Sequence, residues 1–190
     1  NKTFIYIFFF FYLCSQAIAE ELNIKSKKIT INKENNLTVF SDDVIAKDKV
    51  GNTLKTNFAE YNKNEDVLIT KNETSIVTLE NYIINGKNIT FDNKNRIIFS
   101  KNSATLKSPD NKLIYLEEFE YSLKNNFLKS IGKIKLIDNN KNILEFAQIY
   151  VDIASKEIIG TDAKVFLNDN QFKINSSNDP RIFSNTVKIK

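Results

Sequence analysis

Apolar residues return along this chain at a fixed interval of thirty. Ile29-Thr30-Ile31 is followed by Ala59-Glu60-Tyr61, Ile89-Thr90-Phe91, Phe119-Glu120-Tyr121 and Ile149-Tyr150-Val151. Each triplet reads apolar, any, apolar, and the spacing does not drift. A constant period between about 20 and 50 residues marks a stacked or repeat architecture.

The order inside each period also repeats. The triplet predicts a first strand. A polar turn follows, such as Asn32-Lys33-Glu34-Asn35-Asn36 or Asn62-Lys63-Asn64-Glu65-Asp66. A second strand is predicted over Leu37-Thr38-Val39-Phe40, Val67-Leu68-Ile69-Thr70 and Arg96-Ile97-Ile98-Phe99, and a third over Val44 to Ala46, Ser75 to Leu79 or Ala104 to Leu106. A fourth carries Leu54, Ile84, Ile114, Leu144 and Ile174. Short apolar runs bounded by Asn, Asp, Gly and Pro are hairpin signals, and no stretch sustains a helical period with caps. The chain has only four glycines and two prolines, so Asn and Asp must supply most turns.

Alternation places 29/31, 59/61, 89/91 and 119/121 on one face of their strands. That face is apolar and the opposite one polar. A flat sheet would leave it in water, so the sheet must fold onto itself as a sandwich, jelly roll or barrel. The pattern leaves two readings open: a filled core, or two sheets splayed around an acyl chain. The later periods are less regular. Lys129 stands in the column of Val39, Ile69 and Phe99, and Glu157 in the column of Leu37, Val67 and Ile97. At the sixth beat Asp179-Pro180-Arg181 replaces the triplet, and proline does not sit in a central strand. The expected domain organisation is a repeat domain over 20–176 and the start of a following segment over 177–190.

Residues 1–19 stand apart from the repeats. Lys2, a Phe-rich apolar run from Phe4 to Cys14, and Ala17-Ile18-Ala19 form a secretory signal, with cleavage expected between Ala19 and Glu20. The single cysteine, Cys14, leaves with it, and the chain contains no histidine. Zinc and copper sites and the usual nucleophile–base pairs therefore lack their residues. Asp42-Asp43 and Glu117-Glu118 are neighbours along the chain, so on a strand their carboxylates point to opposite faces. No metal site, cofactor site or catalytic residue is expected. The formal charge of +4 is small and evenly spread, which argues against a nucleic-acid partner. Lysines near strand ends, such as Lys25, Lys27 and Lys28, suit a solvated rim that blunts edge pairing.

Three stretches carry a resemblance to a known family: Phe58-Ala59-Glu60-Tyr61-Asn62-Lys63, Asn88-Ile89-Thr90-Phe91-Asp92-Asn93-Lys94 and Lys47-Asp48-Lys49-Val50-Gly51-Asn52-Thr53-Leu54-Lys55. Set in phase after a signal peptide, they resemble the OstA-like domain of the lipopolysaccharide-transport family over about residues 22–175. The glycine column of such repeats is filled here by Asp42, Asn72, Asn102 and Asp162, with only Gly132 kept. The resemblance implies an all-β fold, an open antiparallel β-jellyroll built from the thirty-residue units. It implies non-catalytic lipopolysaccharide transport in the periplasm, with lipid A acyl chains held in the apolar interior. Candidate groove residues are then Ile29, Ile31, Val39, Leu54, Ala59, Tyr61, Ile69, Ile84, Ile89, Phe91, Phe99, Ile114, Phe119 and Tyr121. Implied partners are lipopolysaccharide and another jellyroll of the family joined by edge-strand pairing. An outer-membrane barrel and its lipoprotein partner are added if the chain opens an outer-membrane assembly protein, rather than being a soluble periplasmic bridge. An exported structural or adhesive β-repeat protein is the alternative outside this class.

Overall fold

The computed structural model describes residues 22–168 and 181–189, so the expected signal segment and cleavage site lie outside the described residues. It contains sixteen strands: β1 (Asn23–Lys25), β2 (Lys28–Asn32), β3 (Leu37–Lys47), β4 (Thr53–Asn62), β5 (Val67–Thr70), β6 (Thr74–Val77), β7 (Ile83–Gly86), β8 (Thr90–Asp92), β9 (Ile97–Ser100), β10 (Ala104–Lys107), β11 (Leu113–Leu116), β12 (Phe119–Ser122), β13 (Phe127–Ile137), β14 (Ile143–Asp152), β15 (Glu157–Phe166) and β16 (Arg181–Ile189). All pairings are antiparallel. The fold is all-β, as the alternation predicts.

The thirty-residue unit is two long strands rather than four independent short ones. β5 and β6 are halves of one strand interrupted at 71–73; β7 and β8, β9 and β10, and β11 and β12 are likewise divided. The long strands β3, β4, β13, β14 and β15 cross the same level without ending. Here β3 and β13 slip register, between Ser41 and Val44 and between Ile131 and Ile134. Asp42, Asp43, Asn88, Gly132 and Asp162 have positive φ at this level. Three members of the glycine column, Asp42, Gly132 and Asp162, therefore sit where the strand bends, in the backbone region that Gly, Asn and Asp tolerate best. Asn72 and Asn102 fall in the strand interruptions at the same level.

The bend divides the sheet into two leaves. The first comprises β2, β5, β8, β9 and β12 with one half of each long strand; the second comprises β1, β6, β7, β10 and β11 with the other half. One face of each leaf is buried, and the described residues contain no helix to cover it, so the leaves cover each other.

Both rows of turns are built by repeated chemistry. On the first leaf, turns 33–36, 63–66, 93–96, 123–126 and 153–156 end at a left-handed residue: Asn36, Asp66, Arg96, Asn126 and Lys156. Successive turns stack through backbone bonds, Lys63 N to Asn36 O at 3.1 Å and Asn93 N to Asp66 O at 3.0 Å being the first two. On the second leaf, the side chain at 48, 78, 108 or 138 accepts from the backbone four residues on. Asp48 Oδ1 accepts from Asn52 at 2.9 Å, Thr78 Oγ1 from Tyr82 at 3.1 Å, Ser108 Oγ from Lys112 at 3.0 Å and Asp138 Oδ1 from Asn142 at 2.8 Å.

Beyond the repeats, β16 pairs with β15 from Ile158↔Ile189 to Phe166↔Arg181. The part of 177–190 that is described thus extends the same sheet rather than standing apart from it.

Candidate functional site: the apolar interior

Backbone register assigns every side chain to a face, because directly opposed residues on paired strands point the same way. On the first leaf one inward row runs Ile31, Thr38, Tyr61, Leu68, Phe91, Ile98, Tyr121, Leu128, Val151, Ile158, Ile189. On the second leaf the matching row runs Ile24, Ala46, Leu54, Ile76, Ile84, Leu106, Ile114, Leu136, Leu144, Val165, Ile182. Each row crosses eleven strand positions, and the second-leaf row is apolar at every step. Both rows begin on an edge strand, β1 or β2, and end on β16.

The middle of the interior is filled. Leu68, Ile84, Leu106, Ile114, Tyr121 and Leu128 are each 0% exposed. The ends are less evenly covered: Ile29 and Ile31 on β2 are 53% and 66% exposed and Ile182 on β16 is 52% exposed, whereas Ile24 and Ile189 are partly buried. Ile29, Ile31 and Ile182 share the inward face with their cross-strand partners Phe40, Thr38 and Val165, of which Phe40 is buried and the other two half-buried. Exposure here comes from position: among the described residues no further strand at either end completes the cover.

The interior also differs in make-up between tips and bend. The large apolar rows lie within two residues of the turns. The rows nearer the bend mix large apolar residues, such as Phe40, Ile89, Phe119, Phe146 and Ile149, with small or hydroxyl-bearing ones, including Thr56, Thr70, Thr74, Ser100, Ser130 and Gly160, all buried. Their hydroxyls satisfy backbone groups released where the strands break. Ser100 Oγ donates to Lys87 O at 2.9 Å, Thr56 Oγ1 to Glu73 O at 3.1 Å, and Thr70 Oγ1 accepts from Ile89 N at 3.0 Å.

At the opposite side the two rows of turns meet. Arg96, in a first-leaf turn, lies 3.7 Å from the buried Asp48 carboxylate in a second-leaf turn. Asn126 Nδ2 donates to Glu80 Oε1 at 3.2 Å, and Tyr121 Oη donates to Asn126 Oδ1 at 3.2 Å. A straight ten-residue strand would hold its two ends about 33 Å apart. Contacts between opposite tips therefore require each strand to fold over at its middle. Tyr82 is buried at this seam, and burial, followed by the nearby carboxylates of Asp110, Asp152 and Glu80, pushes its phenol up to about 12.

Of the candidate groove residues, Leu54, Ala59, Ile84, Ile89, Phe91, Ile114, Phe119 and Tyr121 are buried in the interior, and Tyr61 packs partly against it. Ile29 and Ile31 face inward at the open end. Val39, Ile69 and Phe99 are corrected to the outer face. They share a cross-strand row with Glu60, Thr90, Glu120 and Lys129, and Ile69 is 41% exposed. The inward neighbours in this strand are Phe40, Leu68 and Ile98. Lys129, an irregularity in the sequence pattern, is thus an ordinary outer-face residue. Among the described residues no group of three or more carboxylates is placed to hold a metal ion.

No family model matches the chain, and no curated protein matches it. Among solved structures, it is similar to the crystal structure of LptH, the LptA-homologous periplasmic component of the conserved lipopolysaccharide transport device from Pseudomonas aeruginosa. The identity is 13%, covering 87% of this chain and 94% of that one, with a TM-score of 0.31. A score that low does not equate two folds, and the architecture given above rests on this chain's own strand pairings.

Proposed function

We propose that this chain is a non-catalytic carrier of lipopolysaccharide in the periplasm, its interior rows receiving the acyl chains. The observation that carries the reading is the second-leaf row from Ile24 to Ile182, an unbroken apolar track from one edge of the sheet to the other. Its β16 end, Ile182, is 52% exposed, and on the first leaf Ile29 and Ile31 at the opposite edge are 53% and 66% exposed; a core that served only to stabilise a domain would gain nothing from this. The motif resemblance over the repeats supports the same reading. The finer assignment is to the periplasmic domain of an outer-membrane assembly protein, which would bring a barrel and its lipoprotein partner, with the soluble bridge protein as the second choice. In either case the outer edges of β2 and β16, which no described strand pairs, suit pairing with a similar jellyroll through main-chain hydrogen bonds.

A photo-crosslinking amino acid at Ile29, Ile31, Ile89 or Phe91 tests this directly in cells. Adducts containing lipopolysaccharide are expected at these sites and not at Ile69 or Phe99. Silence along the whole inward face would sink the proposal. The filled middle of the interior favours a second reading, a structural or adhesive exported repeat protein with a dry core, and that silence is the result it expects.

A further inference from the structure

We infer that lipid enters this interior sideways, through the seam between the two rows of turns, and that Asp48–Arg96 and Glu80–Asn126 are the contacts that hold the seam shut. The inference rests on the carrier reading above and adds the route.

A filled interior cannot accept an acyl chain without moving apart. Two sides are available besides the ends. At the bend, β3, β4, β13, β14 and β15 pass continuously from one leaf to the other, so separation there means breaking strands. The rows beside the bend also interleave Thr and Ser hydroxyls bonded to backbone with their apolar side chains, so they offer hydrocarbon a less uniform surface than the rows at the tips. At the tips no described strand crosses from leaf to leaf. The leaves meet there through side chains: Arg96 on Asp48 at 3.7 Å, and Asn126 on Glu80 at 3.2 Å. The polar match is incomplete, since Glu80 Oε2 is enclosed without a hydrogen-bond partner among the described residues. Opening would return that oxygen to water, which offsets part of the cost of parting the leaves.

The unbroken apolar rows at the tips point the same way. Tyr61, Leu68, Phe91, Ile98, Tyr121 and Leu128 stand in the first-leaf row beside the turns. Opposite them, Leu54, Ile76, Ile84, Leu106, Ile114 and Leu136 stand in the second-leaf row beside its turns. Parting the tips exposes both apolar rows at once, while the mixed rows, where Thr and Ser hydroxyls alternate with apolar side chains, stay at the back.

The test uses the chain with Cys14→Ser, which has no other cysteine. Glu80→Cys and Asn126→Cys are introduced together and bridged by a short bis-maleimide. Each single-cysteine variant, capped with N-ethylmaleimide, serves as the control for loss of the polar contact. Binding of purified lipopolysaccharide is read by displacement of a fluorescent acyl probe, with circular dichroism verifying the sheet. Bridging should weaken apparent binding about tenfold or more relative to the capped singles, because the binding-competent fraction falls. The loosened pair Asp48→Ala with Glu80→Ala should bind faster. Equal affinity of bridged and capped proteins would overturn the seam while leaving the carrier reading intact. No binding by the unbridged parent would overturn both.

Discussion

The ring of Phe146 fills the space that a side chain on Gly160 would occupy. A methyl group built on Gly160 overlaps the ring carbons Cδ1, Cε1 and Cγ. Both residues are buried, so neither can swing into solvent. Gly160→Ala should therefore lower unfolding free energy by about 1–3 kcal/mol, the usual cost of overpacking. Urea denaturation measures it. Adding Phe146→Val to Gly160→Ala should recover part of the loss. Failure of that rescue would place the strain elsewhere.

The facing of the second strand in each period can be tested by a pair of truncations. Ile98→Ala removes a fully buried side chain and should cost about 2–5 kcal/mol. Phe99→Ala, one residue along, removes a partly exposed ring on the outer face and should cost less than about 1 kcal/mol. Leu68→Ala and Ile69→Ala should divide in the same way. A reversed order in either pair would mean that the register is displaced by one residue.

Asp48 anchors a turn and the seam together. Its carboxylate accepts from Gly51 N at 2.8 Å, Asn52 N at 2.9 Å and Asn52 Nδ2 at 2.8 Å, and faces Arg96. Asp48→Ala leaves these donors unmatched in a buried site and should cost about 3 kcal/mol. Asp138 makes the same turn bonds in a more exposed setting, and Asp138→Ala should cost about 1 kcal/mol. Thermal melts of the two variants give the comparison.

Stability should also fall on the alkaline side. The Tyr82 phenol loses its proton near pH 10 in the unfolded chain but only at about 12 when buried. Above pH 10 the unfolded state therefore holds fewer protons than the folded state, and unfolding becomes progressively easier until about pH 12. Below pH 10 the residue has no such effect. Tyr121, raised in the same direction chiefly by burial, adds to the slope. Urea midpoints followed from pH 8 to 11 should decline beyond 10, and Tyr82→Phe should flatten the decline. A midpoint that stays level would contradict the burial of both phenols.

The beat of thirty made several interior columns legible, because a column that repeats in register must share a face. Leu54, Ile84 and Ile114 form one, and Ala59, Ile89 and Phe119 another. Val39, Ile69 and Phe99 were misread for a physical reason. The outer face at that level also carries Tyr150 and Ile159, so hydrophobicity does not distinguish the two faces. The bend hides in the same way. Inward positions step by three across it on one strand, Thr56 to Ala59 or Gly86 to Ile89, and by four on the next, Thr70 to Thr74 or Ser100 to Ala104. Simple alternation is broken there, and one long strand reads as two. The seam leaves no local trace at all. Asp48 and Arg96 are brought together only by the folding of the leaves.

Because each period contributes two strands, and paired strands lie about 4.8 Å apart, the roll grows by about 10 Å per repeat at constant width. The chain is in effect a ruler whose reach is set by the number of repeats, while its cross-section is set by the residues inside one. Losing or duplicating a whole unit would change the distance spanned and leave the bend, the apolar rows and the seam in register. Deleting a single residue would not shorten the ruler; it would turn part of its inner surface outward.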